Sequence, residues 1–127
     1  MTQNRPVNIN LLKIKLPLSA FLSITHRISG ILIFFLVLPL SVFIFSELTQ
    51  NQDSFDNFMI TYHTNLGIKY GCIGLILIFQ YHIFTGIRHI LMDFHILNES
   101  LSSSFKSAVI TLVLFVVNTL LTLWVML

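Results

Sequence analysis

Charge is what this chain has least of. Of its 127 residues only 9% are Asp, Glu, Lys or Arg, while 55% are hydrophobic; an ordinary soluble domain carries roughly 25% charged residues. So few ions cannot cover a water-soluble surface, and a mean hydropathy of +0.86 places the chain in a membrane. Cysteine is nearly missing too: Cys72 stands alone, which excludes an internal disulfide framework and a C-x-x-C-H haem attachment site. A net charge of only +2 gives no footprint for nucleic acid, and apolar content this high excludes disorder. No Gly-rich phosphate loop and no internal repeat is visible.

What is there is long uncharged stretches. A helical span of the bilayer core needs about 20 apolar residues. Residues 28–46 give 19 uncharged positions between Arg27 and Glu47, residues 70–87 give 18 between Lys69 and Arg88, and residues 107–127 give 21 after Lys106. The expected fold is therefore an all-α membrane protein with three transmembrane helices, approximately 22–47, 64–94 and 105–127, in a single domain covering 1–127. The first stretch is too long for a signal-peptide core of about 7–15 residues and should be retained.

Basic residues set the orientation, because Lys and Arg near span ends tend to stay cytoplasmic. Arg5, Lys13, Lys15 and Arg27 precede span one, whereas the loop after it carries Glu47, Asp53 and Asp56 against Lys69. The N-terminus is expected inside and the C-terminus outside, with Tyr62, Tyr70 and Trp124 near the outer interface. Pro17 and Ser19 suit the start of span one, and Pro39 predicts a kink within it. Residues 51–57 read as a polar turn region, and the serines at 100 and 102–104 offer caps for span three.

Two polar clusters do not belong in lipid and ask for a reason. The first is Ser23-Ile24-Thr25-His26-Arg27-Ile28-Ser29-Gly30, in which Ser23 and Arg27 share a helical face with His26 beside it. It can bind an acidic or carbonyl group; alternatively Arg27 is a snorkelling membrane anchor. The second runs from His82 to Asp93, with His82, Gly86, His89 and Asp93 on one stripe. His82 is the most deeply placed histidine. A neutral imidazole there can ligate iron, with Gly86 clearing space for a flat macrocycle; alternatively His82 makes an interhelical hydrogen bond and Gly86 permits close packing. His26 reads as too shallow to ligate, His63 as remote, and Cys72 as an inert thiol in an apolar run. Span one starts and span two ends on the same side, so the clusters should meet at one depth.

Taken together, Arg5-Pro6-Val7-Asn8, then S-x-x-H-R-x-S-G over residues 23–30, then H-x-x-x-G-I-R-H-x-x-x-D over residues 82–93, resemble the cytochrome b membrane-anchor subunit of bacterial and mitochondrial succinate dehydrogenase. One departure is His95, where that family usually has a small residue. The resemblance implies half of a helical bundle shared with a second anchor subunit, in a complex with a flavoprotein and an iron–sulfur subunit in the bacterial inner membrane. It implies haem b with His82 as axial ligand, His26 and Arg27 near its propionates, and Ser23 and Arg27 lining a ubiquinone site. His89 and Asp93 would pack or hydrogen-bond. The second haem ligand would come from the partner anchor, because one deep histidine makes one axial bond.

The residue chemistry suits those roles. Reducing a quinone needs donors aimed at its oxygens and a path for protons from water, and Ser23 and Arg27 on the cytoplasmic side supply both. Other readings remain: a structural anchor without haem, the equivalent subunit of a quinol:fumarate reductase, or a small transporter. The last lacks a carboxylate inside any of the three uncharged stretches.

Overall fold

The computed structural model describes residues 16–97 and 100–127. The Arg5-Pro6 motif, Lys13 and Lys15 lie outside them. Three helices are long and apolar enough to cross a membrane: α1 (Leu18–Gln50), α3 (Leu66–Asp93) and α4 (Leu101–Met126). A fourth, α2 (Gln52–Thr64), joins the first two. The helices run almost as expected, and no strand occurs among the described residues.

Helix α1 begins directly after Pro17, whose carbonyl accepts from Ala20 and Phe21. Proline suits a helix start because its missing N–H falls where no intrahelical partner exists. Further along, Pro39 has no N–H to offer the carbonyl one turn back and its ring crowds that carbonyl. The helix answers with a π-turn at Ile33–Val37, where the N–H of Leu38 reaches Ile33 O. The irregularity expected at Pro39 therefore sits just upstream of it.

The polar turn expected over residues 51–57 is narrower than that. Only Asn51 is extended, and its side chain accepts from Ser54 N at 2.8 Å, so that it caps α2. Asn65 caps α3 in the same way through Gly67 N and Ile68 N. Asn oxygens satisfy first-turn N–H groups well, which turns apparent loop residues into helix starts. Ser100 caps α4 through Ser103 N, as the serine-rich connector predicted.

At the end of α3, His95 takes φ of 55°. His95 N donates to Met92 O and Ile96 N to Leu91 O, the bonding of a Schellman cap, whose left-handed position usually takes glycine. This explains in backbone terms why a small residue suits that position.

Helices α1 and α3 pack antiparallel, and α4 covers both. At one end Tyr62 donates to Met126 O and Lys69 to Leu127 O, closing the C-terminus of α4. Tyr70 and Trp124 are exposed at this end. The two polar clusters lie at the other.

Candidate functional site

The site is built where α1 and α3 cross. Each helix presents the same five-residue pattern there: His26-Arg27-Ile28-Ser29-Gly30 on α1 and His82-Ile83-Phe84-Thr85-Gly86 on α3. Residues at i, i+3 and i+4 share a helical face, so each pattern offers imidazole, hydroxyl and bare backbone together. Because the helices run antiparallel, the two patterns interlock. Ser29 Oγ lies 2.9 Å from His82 Nδ1, and Thr85 Oγ1 lies 2.8 Å from His26 Nδ1. The two rings stack, 4.1 Å between centroids and 14° between planes.

The glycines make this possible. A Cβ at Gly30 would meet His82 Cε1 at 3.3 Å, and one at Gly86 would meet His26 Cε1 at 3.2 Å. Any larger residue would have to displace a ring. The space that Gly86 clears thus admits His26, as close packing of the two helices requires.

The remaining residues of the clusters divide. His89 follows His82 on the stripe and lies 5.0 Å from His26, ring to ring. Asp93 is exposed beyond it, Ser23 is half-buried, and Arg27 points out of the helix pair and is exposed. Thr25 hydrogen-bonds the Tyr81 hydroxyl across the crossing. His63 stacks edge-on with Tyr62 near the opposite end, and Cys72 is half-buried among apolar side chains there.

One expectation is overturned. His26 is not too shallow to act beside His82, since stacking puts both rings at one depth. The two rings stand in direct contact, so His26 covers one face of the His82 imidazole.

Arg88 has a place the sequence did not reveal. It is 3% exposed and turned toward α4, where Nε donates to Ser107 Oγ and a terminal nitrogen donates to Ser104 O and Ser104 Oγ. Ser104 and Ser107, read as connector and helix start, are buried partners of a cation. Their signal was the i, i+3 spacing of small polar residues in an apolar helix, a frequent helix-contact pattern in membranes.

Beside the stacked rings lies a cleft of about 410 Å³, open on one side and lined by His26, His82, Ile83, Gly86, Ile87, His89 and Ile90. Imidazoles form part of its wall and aliphatic side chains the rest. The donor set suits an apolar macrocycle: His82 Nδ1 is engaged by Ser29, and its Nε2 has no hydrogen-bond partner among the described residues. Among the described residues no group of three His, Cys, Asp or Glu side chains could hold a metal ion by themselves.

Residues 1–122 match the family model described as the succinate dehydrogenase/fumarate reductase transmembrane subunit. The chain belongs to this family. Among its relatives, the succinate dehydrogenase cytochrome b556 subunit of Coxiella burnetii (strain RSA 493 / Nine Mile phase I) is 38% identical over 93 residues, covering 73% of this chain and 74% of that one. The succinate dehydrogenase cytochrome b560 subunits of Porphyra purpurea and Chondrus crispus are 31% and 35% identical, over 83% and 72% of both chains in each pair. The transmembrane subunit is thus a membrane component of an oxidoreductase complex. Its crossed His-x-x-Ser/Thr-Gly patterns fall within the matched residues.

Proposed function

We propose that this chain holds haem b together with a second membrane-anchor subunit and passes electrons from an iron–sulfur subunit to ubiquinone in succinate dehydrogenase, whose flavoprotein subunit oxidises succinate. The supporting observation is the state of His82: Nδ1 tied to Ser29, with the ring forming one wall of an open apolar cleft. Bound haem b would supply a one-electron carrier, tuned by its axial ligands and their hydrogen bonds.

This chain's residues then divide the work. His82 would supply one ligand nitrogen to the haem, and the partner anchor would supply the other. Arg27, exposed next to His26, would hold a haem propionate with two parallel N–H bonds, and His26 would line the haem cleft beside it. Ser23, one turn before Arg27, can donate to a quinone carbonyl, and the exposed Arg27 keeps that end open to water and protons. The basic N-terminal end faces the cytoplasm in the bacterial inner membrane, alongside the iron–sulfur subunit.

The test is the purified complex. His82→Ala should abolish the haem b signal in the reduced-minus-oxidised spectrum. Ser23→Ala and Arg27→Lys should lower quinone reductase activity by roughly 10-fold or more, the scale of a lost charge-assisted hydrogen bond of about 1.5–3 kcal/mol, and leave succinate oxidation by artificial acceptors unchanged. A haem spectrum unaffected by His82→Ala would overturn the ligand assignment. Wild-type quinone kinetics in Arg27→Lys would return Arg27 to the role of an anchor.

A further inference from the structure

The hydroxyls of Ser29 and Thr85 each touch one imidazole of the facing helix and backbone carbonyl oxygen of their own helix. Ser29 Oγ lies 2.7 Å from His26 O and 2.9 Å from His82 Nδ1. Thr85 Oγ1 lies 2.8 Å from Tyr81 O, 3.2 Å from His82 O and 2.8 Å from His26 Nδ1. A hydroxyl has one proton and a carbonyl can only accept. At each residue the imidazole contact and a carbonyl contact are both hydrogen bonds under only one assignment: the hydroxyl donates to a carbonyl and accepts from Nδ1–H. On that assignment each histidine is the Nδ1–H tautomer, with its lone pair on Nε2.

Burial makes the assignment binding. Ser29 is 5% and Thr85 1% exposed, so little water is present to replace a lost partner, and an unpaired buried N–H is costly. The arrangement is also reciprocal. Ser29 of α1 holds the ring of α3, Thr85 of α3 holds the ring of α1, and stacking of the rings couples the two.

We propose that Ser29 and Thr85 are positioning residues, a crossed pair of hydroxyl clamps that lock His82 and His26 into single tautomers and orientations. The proposal rests on the reading of His82 as the iron ligand and adds what prepares it. With its Nδ1–H held by a fixed acceptor, the imidazole is a better electron donor at Nε2, and donor strength lowers the potential of the metal it binds. Thr85 acts one step further away, through His26, by keeping the neighbouring ring parallel to the ligand ring.

The experiment uses the intact purified complex and readouts other than turnover. Ser29→Ala should weaken haem retention by roughly 10–100-fold, the usual effect of losing an outer partner of a ligand, raise the haem midpoint potential and alter the electron paramagnetic resonance signal of the oxidised haem. Ser29→Thr, which keeps the hydroxyl, should restore all three. In the reduced complex labelled with ¹⁵N-histidine, His26 should show the Nδ1–H tautomer; Thr85→Val should turn it into a tautomer mixture and Thr85→Ser should not. An Nε2–H tautomer of His26 in the wild type overturns the Thr85 clamp without need of any variant. If His82→Ala loses haem while Ser29→Ala keeps wild-type retention, potential and resonance signal, the Ser29 clamp fails and the ligand assignment stands. If His82→Ala keeps its haem, the ligand assignment fails and so does the proposed role of Ser29 toward iron, whereas the His26 tautomer still decides the Thr85 clamp.

Discussion

Over residues 22–32, α1 meets residues 77–89 of α3 through hydroxyls, imidazoles and two glycines that admit rings. Over residues 36–48 the same helix faces the first turns of α3 and part of α2 through mainly aliphatic and aromatic side chains. The glycines show the contrast directly. Gly30 and Gly86 each have a histidine carbon within 3.3 Å of a notional Cβ, while Gly71 and Gly74 have nothing within 4 Å. A membrane chain gains little from apolar burial, because lipid tails are as apolar as its core. Specific position must therefore come from polar contacts and close backbone approach, and this chain concentrates both at the end where a redox site would need them.

The sharpest way to break that contrast is to strip the polar end of its support. Arg88 is a buried cation held by two serines and a carbonyl. The double change Ser104→Ala and Ser107→Ala leaves the charge in place without its hydroxyls and should cost about 3 kcal/mol, at the upper end of what an unsatisfied buried donor costs. Adding Arg88→Leu should recover part of the loss, because cation and acceptors are then removed together. Thermal dissociation of the purified complex measures both. A double variant as stable as wild type would show that water reaches Arg88.

Smaller but more direct is a comparison among the glycines. Gly86→Ala and Gly30→Ala force the facing imidazole to move and should each cost about 1–2 kcal/mol as overpacking, with a loss of haem absorbance. Gly71→Ala and Gly74→Ala meet open space and should be neutral, or stabilising by up to about 1 kcal/mol through lower backbone entropy in the unfolded chain. Equal effects at the two ends would erase the distinction between them.

Much of this was legible from residue order. Uncharged gaps of 18 to 21 residues located the three long helices, because the thickness of the bilayer dictates their length. The stripe through His82, Gly86 and His89 does face α1, as a 3.6-residue period requires. What stayed hidden depended on a second helix. Ser29 and Thr85 look like ordinary small polar residues until antiparallel crossing sets each against the other helix's histidine. The His-x-x-Ser/Thr-Gly pattern is readable twice, yet five residues carry no periodicity that marks them as a pair. Arg88 likewise reads as the charged edge of a span, and only the face that α4 covers makes it a buried residue. Helix α2 was missed for a local reason: Asn51 is a turn former and a capping residue alike, and the polar run after it forms a helix that packs back on α1 and α3.

The finest test concerns the cap that ends α3 just beyond the site. His95 sits at φ of 55° within a bonded Schellman cap, a conformation that costs an L-residue roughly 1–2 kcal/mol relative to glycine, less for residues with short polar side chains and most for β-branched ones. The backbone bonds of this cap involve N–H and C=O groups alone, so among variants that all lack the imidazole the ranking should follow φ preference: His95→Gly highest, His95→Asn next, and His95→Val lowest, by about 1–2 kcal/mol below His95→Gly. The same thermal assay orders them. Because Asp93, His89 and His82 lie on the helix this cap terminates, loosening of the last turn by His95→Val should fade toward the crossing and leave the haem spectrum intact. Loss of haem in that variant would mean that the C-terminal end of α3 is held by its cap as much as by the crossed histidines.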